Sequence, residues 1–266
     1  MKWTPEAEAA MQKVPFFVRK RVRDRVEKEA ATARKNIVSI NEVRNTQARF
    51  LSNVAAEIKG YQLDTCFGPG GCPNRAYFTD SLLDKIEALL QQEDLLGFLR
   101  QRVPGELKYH HEFRVTLADC PNACSQPQIK DFGIIGAHSP ILTDEECTRC
   151  DACVDVCKEH AITLGDTAAA PAVDHGLCLK CGLCVKACPT GTISTGVFGF
   201  RVLIGGKLGR HPQLARELPG IFSEDEVLVI LKNCIYFYKQ NCKFGERFAE
   251  LFTEADFNKL AGRYPK

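Results

Sequence analysis

The chain has 266 residues, of which 45% are hydrophobic, and its 35 Lys and Arg residues nearly balance its 33 Asp and Glu residues. This length and composition suffice for a packed core, and a net charge of +2 gives no strong attraction to nucleic acid or acidic lipid. The N-terminus carries charges where a secretory signal needs an apolar core, and no later run approaches the roughly 18 apolar residues of a membrane span. We therefore expect a cytoplasmic globular protein that neither spans a membrane nor binds nucleic acid.

Residues 1–50 are predicted to form a helical N-terminal domain. Thr4 can cap a helix that has Pro5 at its first position, and valines recur four residues apart along the next helical stretch. Arg and Lys residues occupy the opposite face, but acidic residues follow at once, which favours a solvated face over a docking surface. Trp3, "VPFFVRK" and "IVSINEV" resemble a helical domain found in subunits of light-independent protochlorophyllide reductase.

Residues 51–142 show a mixed pattern. The stretch "CFGPGGC" predicts a loop, whereas "TDSLLDKIEALLQQ" and "EDLLGFLRQR" predict helices. Apolar and polar residues alternate in "EFRVTLA", which predicts a half-buried strand. This strand leads directly into a tight turn in which Cys120 and Cys124 flank Pro-Asn-Ala, so two thiols lie at its end.

Residues 143–192 contain eight of the fourteen cysteines, in "CTRCDACVDVC" and "CLKCGLCVKACP". In a chain without a secretory signal, clustered cysteines favour metal binding over disulfides. Both runs have the C-x2-C-x2-C-x3-C spacing of bacterial dicluster ferredoxins, in which the fourth cysteine of each run binds the other [4Fe-4S] cluster. Zinc ribbons also use paired C-x2-C, but the two x3 spacings are hard to reconcile with them. Lys158 stands where the first run often has proline, and no ligand is lost.

The ferredoxin rule assigns these eight cysteines to two sets of four ligands. The first ferredoxin set is Cys147, Cys150, Cys153 and Cys188. The second ferredoxin set is Cys178, Cys181, Cys184 and Cys157.

The C-terminal segment, residues 193–266, begins with the apolar run "TGVFGFRVLIGG". Ser223 and Glu226 form a capping box that predicts the start of a long helix. Cys234 and Cys242 lie on or just after this helix, and we expect two unligated thiols, one of them buried.

Four further cysteines, the third set, give C-x5-C, a long gap and then C-x3-C. They are Cys66, Cys72, Cys120 and Cys124. This arrangement resembles the siroheme-[4Fe-4S] sulfite and nitrite reductases, and the likeness continues through "SQPQIKDFGIIG", "VLIGGKLGRHPQLA" and "GERF". The ferredoxin lies between these motifs as it does in anaerobic and dissimilatory sulfite reductase subunits. The resemblance covers residues 60–250.

The resemblance implies that the third set binds a third [4Fe-4S] cluster and that Cys124 also bridges to the iron of siroheme. It implies that Lys207 and Arg210, with backbone amides of the "GGKLG" loop, hold siroheme carboxylates; a plain turn is the alternative interpretation of this loop. Arg114 would balance the charge of a small anionic substrate, an oxyanion of sulfur or nitrogen, and Arg75 is a second candidate for this role.

Two features depart from the family pattern. At Glu112 the related reductases tend to have lysine, so a carboxylate is expected near the substrate anion unless it is protonated or turned away. In addition, these reductases are built from two similar halves around siroheme, and only the cysteine-bearing half is evident here. A partner chain or a second copy of this chain would then complete the siroheme pocket.

We therefore expect an α+β fold, in which a reductase-like half-domain (51–142 and 193–266) is interrupted by a dicluster ferredoxin (143–192) and preceded by a helical segment (1–50). The predicted function is that of an anaerobic sulfite- or nitrite-reductase-like oxidoreductase. A donor protein would reduce the ferredoxin clusters, which would feed the siroheme-coupled centre. The alternative is a non-enzymatic electron-transfer subunit that carries three [4Fe-4S] clusters in a larger redox complex.

Overall fold

A computed structural model describes residues 1–14, 16–33 and 35–264 of the chain, with backbone only at residues 17 and 50–56. The chain divides into two units, each with its own internal contacts. The N-terminal unit comprises Met1–Ile58 and Glu106–Tyr109, and the sheet unit comprises Lys59–Gly105 and His110–Lys266. Within the described ranges, each helix is either too short or too polar to span a lipid bilayer.

The described residues of the N-terminal unit form three helices and one pair of short parallel strands. Its elements are β1 (Lys2–Trp3), α1 (Pro5–Gln12), α2 (Phe16–Thr32), β2 (Ile37–Val38) and α3 (Ile40–Glu57). The predicted cap is confirmed, because the Thr4 side chain accepts a hydrogen bond from Ala7 N and Pro5 is the first helical residue. Val26 is buried in the small core of this unit. Helix α3 continues to Glu57, beyond the predicted boundary at residue 50.

The sheet unit is built on five strands in the order β3-β4-β5-β8-β9. The first three strands are parallel, and the β5–β8 and β8–β9 pairs are antiparallel. The strands are β3 (Tyr61–Thr65), β4 (Phe113–Ala118), β5 (Phe132–Leu142), β8 (Ile193–Ile204) and β9 (Arg216–Glu217). The predicted strand "EFRVTLA" is therefore confirmed as β4. The mixture of helices with this sheet confirms the predicted α+β class.

The sheet unit also contains helices. They include α4 (Asp80–Gln92), α5 (Leu95–Arg102), α8 (Glu224–Asn241), α9 (Phe248–Leu251) and α10 (Glu254–Ala261). Phe113 of β4 packs against Tyr238 of α8 and Phe248 of α9, with ring centroids 5.7 Å and 5.3 Å apart. Helix α8 begins at the predicted capping box of Ser223 and Glu226. Burial of these aromatic side chains stabilises the contact between the sheet and the helices.

The segment predicted to be a ferredoxin lies between β5 and β8, whose last and first residues, Leu142 and Ile193, are cross-strand partners. Its short elements are α6 (Ala152–Asp155), β6 (Ile162–Thr163), β7 (Ala172–Val173) and α7 (Leu183–Ala187). Strands β6 and β7 pair with each other in an antiparallel hairpin. Cys153 and Cys184 are buried in the small core of this insertion.

Candidate iron–sulfur centres

The twelve clustered cysteines surround three cavities, and the four cysteines of each set line one cavity. Cys147, Cys150, Cys153 and Cys188 line the first. Cys157, Cys178, Cys181 and Cys184 line the second. Cys66, Cys72, Cys120 and Cys124 line the third. The exchange of the fourth cysteine between the two ferredoxin runs is thus present in the fold. Among the described residues, no group of three or more His, Cys, Asp or Glu side chains is arranged to hold a single metal ion.

Burial raises the pKa of four of these thiols. It raises the pKa of Cys153, of Cys178 and of Cys120, and it raises the pKa of Cys184 to about 11. Neighbouring cysteines of the same set raise these pKa values further when they are charged. Metal binding to such thiols must release protons, since thiolates are the ligands.

Backbone amides donate hydrogen bonds to the cysteine sulfurs at equivalent positions of the two ferredoxin repeats. The donors and acceptors are Arg149 N to Cys147 at 3.4 Å, Lys180 N to Cys178 at 3.4 Å, Ala161 N to Cys157 at 3.3 Å and Ile193 N to Cys188 at 3.4 Å. Hydrogen bonds to cluster sulfurs stabilise added negative charge and tune reduction potentials. These four amides therefore suit thiolate ligands of a redox group.

Left-handed backbone conformations bend both ferredoxin loops in the same way. The matched pairs are Arg149 (φ 57°) with Lys180 (φ 60°), Asp151 (φ 56°) with Gly182 (φ 71°), and His160 (φ 51°) with Gly191 (φ 80°). Non-glycine residues adopt this region at a cost of about 1–2 kcal/mol. The internal repeat seen in the sequence is therefore also a repeat of backbone conformation.

The third set is assembled at the carboxyl ends of two parallel strands. Cys66 follows β3 directly, and Cys120 follows β4 after one residue. Because β3 and β4 pair in register, Cys66 N donates to Leu117 O at 3.0 Å and the two cysteines meet at one sheet edge. The Cys66 sulfur accepts hydrogen bonds from Gly68 N and Asp119 N, both at 3.3 Å.

Cys124 is the exposed member of the third set, whereas Cys66, Cys72 and Cys120 are partly buried. Its sulfur accepts a hydrogen bond from the Asn122 side-chain amide at 3.0 Å. An exposed sulfur at the rim of the third cavity is the arrangement required for sharing this ligand with a group outside the cavity.

Arg75 is enclosed by carboxylates. Asp119, only 1% exposed, forms an ion pair with the Arg75 guanidinium and accepts a hydrogen bond from Thr79 Oγ1 at 2.5 Å. Asp80 forms a second ion pair with Arg75. These contacts fix the loop after Cys72 to the end of β4. The catalytic role of Arg75 stays a prediction, and its contacts favour a structural role.

Glu112 is 4% exposed and is turned toward the start of β3. Its Oε1 accepts a hydrogen bond from Lys59 N at 2.9 Å, and its Oε2 accepts one from Gln62 Nε2 at 2.8 Å. The Glu112 carboxylate is therefore turned away, which is one of the two possibilities given by the sequence. Its acceptor oxygens hold β3 instead.

Arg114 lies beside a buried acid that no sequence motif singled out. Asp131 Oδ2 accepts a hydrogen bond from Arg114 N at 2.9 Å, and burial raises the pKa of Asp131 to about 6 against the opposing charges of Arg247 and Arg114. The Nε of Arg114 and the Nε and Nη2 of Arg247 are buried without a hydrogen-bond partner among the described residues. Asp131 Oδ1 is also buried without a hydrogen-bond partner in the described part of the chain, so an acceptor accompanies these unused donors. Arg247 belongs to the "GERF" motif, but the motif alone gave Arg247 no role.

The glycine-rich loop after β8 meets the "QIKD" segment closely. A Cβ on Gly206 would lie 2.5 Å from Gln128 O, so glycine is required there. Three amides of the loop are engaged by backbone carbonyls. They are Gly205 N to Asp131 O, Gly206 N to Lys130 O and Lys207 N to Gln213 O, each at 2.9 Å. These three amides therefore already have acceptors within the chain, and the expectation that loop amides hold cofactor carboxylates stays a prediction.

The two cations predicted on this loop differ in their surroundings. Lys207 Nζ lies 3.2 Å from Glu250 Oε1, and the Lys207 side chain is 14% exposed. Arg210 is exposed. Arg247 Nη1 donates to Leu208 O at 3.0 Å, which fixes the loop beside the cations with unused donors.

Cys234 and Cys242 are both 1% exposed, so two thiols are buried rather than the one expected. Burial raises the pKa of Cys234 and of Cys242, which keeps both protonated at neutral pH. Neither of these two cysteines lines any of the three cavities.

Comparisons with known proteins agree with this arrangement. Residues 61–263 match the family described as the nitrite and sulphite reductase 4Fe-4S domain. Residues 3–46 match the family described as the proto-chlorophyllide reductase 57 kD subunit, in agreement with the N-terminal resemblance. The matched ranges follow one another in the chain, in the order expected from the sequence.

Relatives among characterised proteins are sulfite reductases. The coenzyme F420-dependent sulfite reductase of Methanocaldococcus jannaschii is 30% identical over 192 residues, which cover 71% of this chain and 29% of that protein. One component of the anaerobic sulfite reductase of Salmonella typhimurium is 27% identical over 121 residues, which cover 46% of this chain and 30% of that protein. The matches therefore span less than a third of the length of these relatives.

The fold is also that of a solved sulfite reductase. The crystal structure of dissimilatory sulfite reductase I superposes with a TM-score of 0.51 at 18% identity, over 75% of this chain and 51% of that chain. Iron–sulfur binding is the feature shared by the family match and the cysteine sets. Because the family match extends over residues 61–263, most of the chain, this protein belongs to the nitrite and sulphite reductase 4Fe-4S domain family.

Proposed function

We propose that this chain is a sulfite- or nitrite-reductase-like oxidoreductase that binds three [4Fe-4S] clusters and siroheme. The observation that carries the proposal is the enclosure of three cavities by three complete cysteine sets. When bound, the clusters would supply single electrons, and siroheme would supply the iron site at which a small oxyanion is reduced. The residues of the chain would bind, orient and insulate these groups.

The rim of the third cavity suits siroheme. Cys124 is exposed there and can be shared, as the family resemblance implies. The guanidinium groups of Arg114 and Arg247 interact with the buried Asp131 carboxylate, and the family resemblance implies that Arg114 meets the substrate oxyanion. Lys207 and Arg210 would add positive charge at the neighbouring loop. We assign the role of balancing substrate charge to Arg114.

The electron-transfer alternative is favoured by a different observation. Arg75 and Lys207, two of the cations predicted to meet an anion, are ion-paired with carboxylates of this chain. If siroheme is absent, the three clusters would form a relay within a larger redox complex. In either case we propose an electron-donor protein as partner. The siroheme hypothesis further requires a partner chain or a second copy to close the pocket.

Metal analysis and the visible spectrum separate these possibilities. Protein purified without oxygen should contain about twelve iron atoms and as many acid-labile sulfides per chain, with one more iron if siroheme is present. Macrocycle bands in the visible spectrum would identify siroheme. About eight iron atoms would remove the third cluster, and stoichiometric zinc would contradict the ferredoxin sets.

Turnover of sulfite and nitrite, assayed separately with a reduced dye, tests the enzymatic part. We expect Arg114→Met to raise KM for the anion, because a cation near the substrate is lost. Arg102→Met, which removes a cation from α5, is the matched control and should leave KM unchanged. If siroheme-containing protein reduces neither anion, electron transfer becomes the better account.

A further inference from the structure

The cavity of the second ferredoxin set is also lined by part of the third set. This cavity, of about 460 Å³, is lined by all four cysteines of the second ferredoxin set and also by Cys120 of the third set. Asn74 and Asn122, which belong to the two cysteine loops of the third set, line it as well. Because Cys120 also lines the third cavity, it is the thiol common to both.

His138 connects the two sides of this cavity. Its N donates to Lys180 O at 2.7 Å, and it forms a parallel bridge with Cys181. Gly182 lets the ring approach, since a Cβ there would lie 2.9 Å from His138 Cβ and Cγ. The ring is hydrogen-bonded to the backbone of Ala76, and its Nε2 lies 2.9 Å from Thr195 Oγ1.

Lys186 makes a second connection. It lies between Cys184 and Cys188, and its Nζ donates to the backbone carbonyl of Arg75 at 2.7 Å. Arg75 is itself ion-paired with Asp119, the residue before Cys120. Lys186 therefore joins the predicted ferredoxin directly to the loop after Cys72, and through the Arg75–Asp119 ion pair to the loop that carries Cys120.

We infer that His138 and Lys186 are positioning residues that set the separation between the second ferredoxin set and the third set, with Cys120 as the thiol that faces the ferredoxin. The inference rests on the proposed function, because it concerns the groups that these cysteines would hold. One electron, supplied by a one-electron reductant, would pass from the cluster held by the second ferredoxin set to the cluster held by the third set. No bond would be formed or broken in this step. His138 and Lys186 would fix the distance between the two clusters, and this distance would set the electronic coupling between them.

Magnetic coupling between the two reduced clusters tests this inference. Electron paramagnetic resonance of dithionite-reduced protein should show a signal split or broadened by spin–spin interaction in the wild type. Lys186→Met and His138→Gln should each narrow the splitting, and the double variant should narrow it most. Fast-freeze experiments should show slower reduction of the third cluster in the same variants, with the ferredoxin clusters reduced at the wild-type rate.

Lys158→Met is the matched control. Lys158 is exposed, as Lys186 is, and lines the same cavity next to Cys157, so its loss removes an equal charge and keeps the Lys186 hydrogen bond to Arg75 O. Lys186→Arg should restore the coupling, because it keeps a donor to the Arg75 carbonyl. Full iron content with unchanged splitting in both Lys186→Met and His138→Gln would overturn the inference. Iron near eight atoms in the wild type would instead overturn the proposed third cluster.

Discussion

The ferredoxin sets and the third set reach similar arrangements by different routes. The eight ferredoxin cysteines lie between Cys147 and Cys188, and the hydrogen bonds to Cys147 and Cys178 come from amides two residues further along the chain. The third set joins two loops that follow different strands, and the β3–β4 pairing brings those loops together. Local sequence thus specifies one kind of site, whereas the other exists only in the folded sheet. Removal of a cysteine ligand and destabilisation of the fold should therefore have different effects on the ferredoxin sets and on the third set.

Removal of a ligand from each region should give the largest effects. Cys124→Ser should disturb both the third cluster and the siroheme bands, because one sulfur would be shared by both groups. Cys150→Ser should damage one ferredoxin cluster and leave the siroheme bands unchanged. Both variants are to be compared by iron content and visible spectrum under anaerobic conditions. Equal effects on the macrocycle bands would contradict the shared ligand.

Loss of the Asp119 carboxylate should destabilise the third set and leave the two ferredoxin sets intact. Asp119→Ala leaves Arg75 and Thr79 without their buried partner, which should lower the free energy of unfolding by about 3–5 kcal/mol. Iron should fall from about twelve to about eight atoms, because the ferredoxin ligands do not depend on this contact. Urea unfolding and metal analysis measure the two effects. Asp144→Ala, at an exposed position at the start of the predicted ferredoxin, should change neither.

Glu112→Lys should give a smaller effect on stability. The variant leaves Lys59 N and Gln62 Nε2 without acceptors, so the free energy of unfolding should fall by about 1–3 kcal/mol. The family pattern alone predicts a gain in sulfite affinity, but a side chain turned toward β3 cannot supply it. Urea unfolding and the KM for sulfite distinguish these outcomes, with exposed Glu106→Lys as the control. Unchanged stability with a lower KM would favour the family pattern.

The fold was predictable where the signals are local. The Ser223 capping box, the Thr4 cap and the alternation in "EFRVTLA" each depend on residues within one element, and all three are confirmed. The partners of Glu112 and Arg75 were not predictable, because Lys59 is 53 residues from Glu112 in the chain and Asp119 meets Arg75 only after β3 and β4 pair. The third set was inferred from family resemblance, since its spacing alone does not specify four ligands of one site.

The predicted ferredoxin enters and leaves the sheet at one end of the β5–β8 pair. Leu142 and Ile193 are neighbours across the β5–β8 pair, so the insertion begins and ends at adjacent positions. A hairpin tolerates additions at its turn because the strand register is set elsewhere, and closing a longer loop costs little more than closing a short one. The predicted ferredoxin is therefore an insertion with its own small core at one hairpin of the sheet. A two-residue Asn-Gly turn in its place should leave the order of the strands unchanged.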